Sequence, residues 1–131
     1  MIEKVLHQET LYALIIRENF KEDGIRFFTP QDFSQQLGYM NRPKNYKIQP
    51  HSHNEVKRIV KLTNEVLFIK SGKCRVNFYD DNKKFILHKV LEKGDFILLA
   101  YGGHGFEMLE DTEIIEIKQG PYAGEADKTR F

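Results

Sequence analysis

The chain has little with which to staple itself. Cys74 is its single cysteine, so no intrachain disulfide can form. An excess of one charge is missing too. Its 20 basic and 19 acidic residues leave a net charge of +1, which removes the electrostatic drive toward nucleic acid or an anionic membrane surface. No apolar run is long enough to span a bilayer. Met1–His7 also lacks the uninterrupted apolar core of a signal peptide. A cytoplasmic protein is the resulting expectation. Repeats and low-complexity tracts are absent, as are a phosphate loop, a nucleophile elbow and zinc-finger spacing.

What is present is an ordinary folded mixture. With 131 residues, 40% hydrophobic and 30% charged, the chain suits one domain with a real core. Its apolar runs are short and punctuated by turn residues, the pattern of an all-β protein with little helix. Leu11–Ile16 reads as strand or helix on periodicity alone. Ile25–Phe28 follows the turn signal Asp23-Gly24, and Pro30–Leu37 has room for a helical turn closed by Gly38. From Gly38 to Pro50 an extended segment interrupted by a loop is expected.

The second half is more regular. Glu65–Lys70 and Lys73–Tyr79 form a hairpin around Ser71-Gly72. Further strands are expected at Phe85–Leu91, Phe96–Leu99, Gly105–Leu109 and Glu113–Lys118. Strands at this spacing predict an antiparallel meander closed as a single β-barrel or jelly roll. Its core would run from about residue 38 to 118, with N-terminal strands in 1–37 and a tail at 119–131. The tail is either frayed or packed across the barrel or a neighbouring subunit.

Three histidines and one glutamate stand out. On a strand, His51 and His53 would point to one side of the sheet, and paired neutral imidazoles suit a first-row divalent metal. Glu65 shares a face with Leu67 and Ile69, so it is either a buried carboxylate that needs a cation or donors or an exposed strand end. His104 is set among Gly102, Gly103 and Gly105, which can aim one side chain inward from a tight turn; a solvent-facing histidine is the plainer reading. Cys74 alternates with Val76 and Phe78 and reads as a small buried hydrophobe. His88 alternates with Ile86 and Val90 as a core or interface histidine, and His7 reads as solvated. Glu107 could pair with Arg75 or Lys118, and Tyr101 could hydrogen-bond at a pocket rim. Arg42, Lys44, Lys47, Lys57, Arg58 and Lys61 gather in one stretch and allow a local anion site.

These motifs resemble the cupin superfamily. His51-x-His53 corresponds to that family's paired histidines, Glu65 with Gly72 to its glutamate and glycine, and Gly94 through Gly102-Gly103-His104 to its second motif. The fuller pattern, including Pro50–Asn54 and Ile117–Tyr122, is similar to small cupins found among polysaccharide and surface-sugar biosynthesis proteins. The resemblance implies a single cupin domain in which His51, His53, Glu65 and His104 bind a divalent metal such as Zn, Fe, Mn or Ni. It also implies a homodimer and a sugar or nucleotide-sugar ligand. Eleven residues separate His53 from Glu65, more than the family's spacing, so an extra loop is implied. Lys57 and Arg58 stand where the family has its glutamate, Ala100 replaces a proline and Met108 an asparagine.

The reaction this suggests is isomerisation or epimerisation. His51, His53 and His104 would be the catalytic residues, either around a Lewis-acid metal or with an imidazole moving the proton itself. Dioxygenase chemistry on iron is a further cupin option. A non-catalytic sugar- or metabolite-binding module, or a barrel serving as a structural partner, are the competing classes.

Overall fold

Alternating side chains and turn residues produce ten strands in the computed structural model, which describes residues 1–131. They are β1 (Ile2–His7), β2 (Thr10–Ile16), β3 (Gly24–Phe27), β4 (Gly38–Asn41), β5 (Glu65–Ser71), β6 (Lys73–Tyr79), β7 (Phe85–Glu92), β8 (Phe96–Leu99), β9 (Gly103–Met108) and β10 (Glu113–Lys118). One helical turn, Gly124–Asp127, lies in the tail. The protein is therefore all-β, and every strand pair is antiparallel. No helix is long and apolar enough to cross a membrane.

Three sheets form: a five-stranded one in the order β1-β2-β8-β5-β10, a three-stranded one in the order β7-β6-β9, and the β3-β4 hairpin. The two larger sheets share one core. Val5, Tyr12, Ala13, Ile15, Leu67, Ile69, Ile97 and Leu99 come from the first, and Cys74, Val76, Phe78 and Leu91 from the second. Cys74 thus packs as a small hydrophobe with no exposed surface, and burial pushes its thiol pKa up, away from reactivity.

The run at Leu11–Ile16 is strand rather than helix because it lies between β1 and β8. Leu14 and Leu98 pair on the sheet's other face and are fully buried as well. A strand buried on both faces reads as a continuous apolar run, which hides its period. The sequence reading did not distinguish β1, where only Val5 is buried. The helical turn expected at Pro30–Leu37 is instead an irregular loop: the Gln36 amide donates to the carbonyls of Pro30 and Phe33 at 3.0 and 2.9 Å.

A single ribbon links the two sheets. β5 continues into β6 and β9 into β10, with β5 pairing β10 in one sheet and β6 pairing β9 in the other. The crossing point needs Gly72, whose φ is +88° and where a Cβ would lie 2.2 Å from the Asp111 carbonyl oxygen. Thr112 secures the corner, accepting from Lys73 N at 3.1 Å and donating to Lys73 O at 3.0 Å.

The expected barrel closure does not occur: β9 and β10 keep unpaired edges. The strand expected around His51-Ser52-His53 is also absent, and residues 42–63 form no strand or helix. Residues 47–63 make no backbone–backbone hydrogen bond. Two prolines and a run of like charges give this stretch neither an alternating apolar face nor a full set of amide donors.

Candidate functional site

A cavity of about 1160 Å³ opens where the ends of β5 and β9 approach each other. Glu65 is the first residue of β5, opposite Leu99 of β8 and Lys118 of β10. It heads the inward row continued by Leu67 and Ile69 and is only 8% exposed. His104 enters from the other sheet, opposite Phe78 on β6. Its Nε2 lies 3.5 Å from Glu65 Oε2, a contact longer than an ordinary hydrogen bond.

The electrostatics of Glu65 follow from that neighbour. His104 holds its carboxyl below the usual carboxylate range, burial opposes this, and Glu116 and Lys118 add smaller lowering effects. Glu65 is therefore a buried carboxylate with one loosely placed imidazole partner. Two of the sequence-predicted site residues, Glu65 and His104, are thus brought together.

The turn that delivers His104 is built on Tyr12. The amides of Ala100 and Tyr101 both donate to the Tyr12 carbonyl, at 2.9 and 3.4 Å. Gly102 has φ +74°, and a Cβ there would sit 2.2 Å from the Tyr12 ring. Tyr101 stands at the cavity wall and donates its hydroxyl to Asp81 at 3.2 Å, which raises the phenol's pKa.

Aromatic rings and the tail complete the walls. Tyr79, Tyr101, Phe106 and Phe131 line the cavity together with Ala126–Arg130. The Phe131 ring meets Tyr79 edge-on at 5.2 Å, and Thr63 donates to Asp127. Of the two readings of the tail, packing across the domain is the one observed.

His51 and His53 lie elsewhere. Both are exposed on the strandless segment between β4 and β5, with ring centroids 5.4 Å apart and His51 Nδ1 2.9 Å from Gln49 O. Neither lines the cavity. No family model, curated protein or solved structure matches this chain. What the site can do therefore rests on its own geometry.

No group of three or more histidine, cysteine or carboxylate side chains is disposed to hold a metal ion, and Glu65 and His104 already face each other as a pair. What the pair can do is hold and relay a proton, with the carboxylate orienting the imidazole.

The remaining titratable groups have structural surroundings. His88 is exposed on β7 rather than in the core, because the inward row there is Leu87, Lys89 and Leu91, opposite Phe78, Val76 and Cys74. His7 is half-buried edge-on against Tyr12 at 5.7 Å rather than solvated. Glu107 takes the Arg75 pairing, at 2.9 Å. A smaller cavity of about 680 Å³, between Gln31–Gln36 and Arg58–Val60, offers only Asp32 and Arg58 as charged groups.

Sequence reasoning missed Glu116 and Lys118 as neighbours of Glu65, and Glu116, Tyr79 and Phe131 as cavity residues. The first two reach Glu65 only because β10 pairs β5, a neighbourhood that no local pattern encodes. Phe131 lies in a tail with no strand period, so its packing across the barrel was only one of two readings and its place in the cavity was not foreseen.

Proposed function

We propose that the chain is a cupin-type protein of carbohydrate metabolism that moves a proton on a sugar or nucleotide sugar, as an isomerase or epimerase. His104 is the acid–base group and Glu65 its partner. The observation that carries this reading is the buried Glu65 carboxylate facing His104 in a cavity large enough for a sugar derivative. Tyr79, Tyr101 and Phe106 supply ring faces of the kind sugars pack on, and Lys61 and Lys128 line the same cavity within reach of an anionic substituent. A neutral imidazole can take a proton from the carbon beside a carbonyl and return it to the neighbouring position.

A sugar-binding module without turnover is the second reading. It is favoured by the tail, whose Phe131 and Asp127 contacts add walls to the cavity whether or not chemistry follows. A divalent-metal centre would need ligands beyond Glu65 and His104, so no step here passes through one.

The experiment is hydrogen exchange in deuterated water, followed by NMR on keto-sugars and nucleotide sugars. Exchange at the carbon beside the carbonyl, reduced about 10²–10⁴-fold by His104→Gln, is the expected result. Saturable binding without exchange selects the module, and neither binding nor exchange removes the carbohydrate reading.

A further inference from the structure

The segment between β4 and β5 and the open side of the sandwich are complementary in three respects. The first is hydrogen bonding. Residues 47–63 have no backbone partner, and β9 has an unpaired edge. Long connections without structure of their own are uncommon inside a domain, and an exposed strand edge is a template for another strand.

The second is apolar surface. Phe106 and Met108 sit opposite Val76 and Cys74, so they face the interior side of the sheet, yet they are 38% and 49% exposed. Interior positions open to water on one flank are what a missing strand leaves behind. The segment for its part exposes Ile48, Val56, Ile59 and Leu62.

The third is charge. The segment carries Arg42, Lys44, Lys47, Lys57, Arg58 and Lys61 against the lone acid Glu55, and none of those cations makes an ion pair in the chain. The open side carries Glu107, Glu110, Asp111, Glu113 and Glu116 against Lys118. Arg75, Lys73 and Lys70 contact the first, second and fourth of these, whereas Asp111 and Glu116 have no ion-pair partner.

We infer that this basic segment is an exchanged arm: in a two-fold dimer, the arm of each copy lies antiparallel along the β9 edge of the other. In that direction His53 and His51 fall beside His104 and Phe106, and Lys47 and Lys44 run on toward the acidic turn at Glu110–Glu113. Gln49, His51 and His53 turn their amides to β9, and Pro50, lacking one, faces outward as a proline on an edge strand should. The partner copy thereby contributes two imidazoles to the mouth of each cavity, whatever reaction that cavity supports. A reciprocal contact of this kind is self-complementary under a two-fold axis.

Charge-swapped variants of the full chain test the exchange, with light scattering after size exclusion as the readout. Lys44 and Lys47 are exposed and lack backbone bonds to neighbouring strands, so Lys44→Glu/Lys47→Glu leaves the core intact, as circular dichroism will verify. Asp111→Lys/Glu113→Lys reverses the other surface. Wild type is expected at the mass of two chains and each variant alone at the mass of one. An equimolar mixture returns to two, because both of its contacts join opposite charges. A monomeric wild type overturns the exchange and leaves the arm to close on its own chain. Dimers of either variant alone, or a mixture that stays monomeric, overturn it equally.

Discussion

Asp95 and Glu65 are both buried carboxylates, 4% and 8% exposed, and they are held in opposite ways. Asp95 accepts from the Arg17 guanidinium at 2.9 Å, from Glu18 N at 2.9 Å and from Glu92 N at 2.8 Å. Arg17 goes on to Glu3, which also takes Lys89 at 3.1 Å. The lone pairs of Asp95 are committed, and it ties β2 to the turn before β8. Glu65 has a single imidazole 3.5 Å away and an open cavity beyond it. Saturated acceptors build the fold, whereas an acceptor with spare capacity is left for a ligand.

The largest expected effect breaks the saturated site. Asp95→Ala leaves two backbone amides without their acceptor and takes one of Arg17's partners, and should lower unfolding free energy by about 2–4 kcal/mol in a urea titration. A loss below about 1 kcal/mol would mean that the network is incidental.

The next expectation has the opposite sign. Glu65→Leu extends the apolar row of Leu67 and Ile69. It should leave stability unchanged or raise it by up to about 1 kcal/mol, because an undersatisfied buried ion is replaced by a hydrophobe. Ligand binding should be lost in the same variant. A destabilisation approaching that of Asp95→Ala would erase the distinction between the two carboxylates.

The smallest effect is in acid. Arg17 holds the Glu3 carboxyl below its ordinary range, as His104 does for Glu65. A carboxyl more acidic in the native chain than in the unfolded one stabilises the fold above its unfolded pKa. That contribution disappears as pH falls through the depressed native value. Melting temperature should therefore hold through mildly acidic pH and decline below the ordinary carboxylate range. Glu3→Gln should flatten that decline more than Glu65→Gln, since Glu3 meets two cations, with each effect under about 1 kcal/mol.

The legible parts of the chain were those with a local cause. Strands β5 to β10 were readable because each is a short run bounded by turn residues, and the placing of Glu65 above Leu67 and Ile69 followed from the alternation of β5. The turn at Gly102 was readable from its glycines. What escaped depends on distant partners. Arg17 meets Asp95 across most of the chain length, and nothing near either residue announces the other. His51-Ser52-His53 has the spacing of a strand, but the segment lacks the alternating apolar face and in-chain partners that would make it one. The continuous run of β2 concealed its period by being buried on both sides.

The ribbon that turns at Gly72 has one more consequence. Glu65 belongs to one sheet and His104 to the other, so their contact is a gauge of the spacing between layers. Side chains that set this spacing, Val76 and Phe78 among them, act as shims. A bulkier shim deep in the sandwich would pull carboxylate and imidazole apart at the rim, silencing the pair from a position no ligand ever reaches.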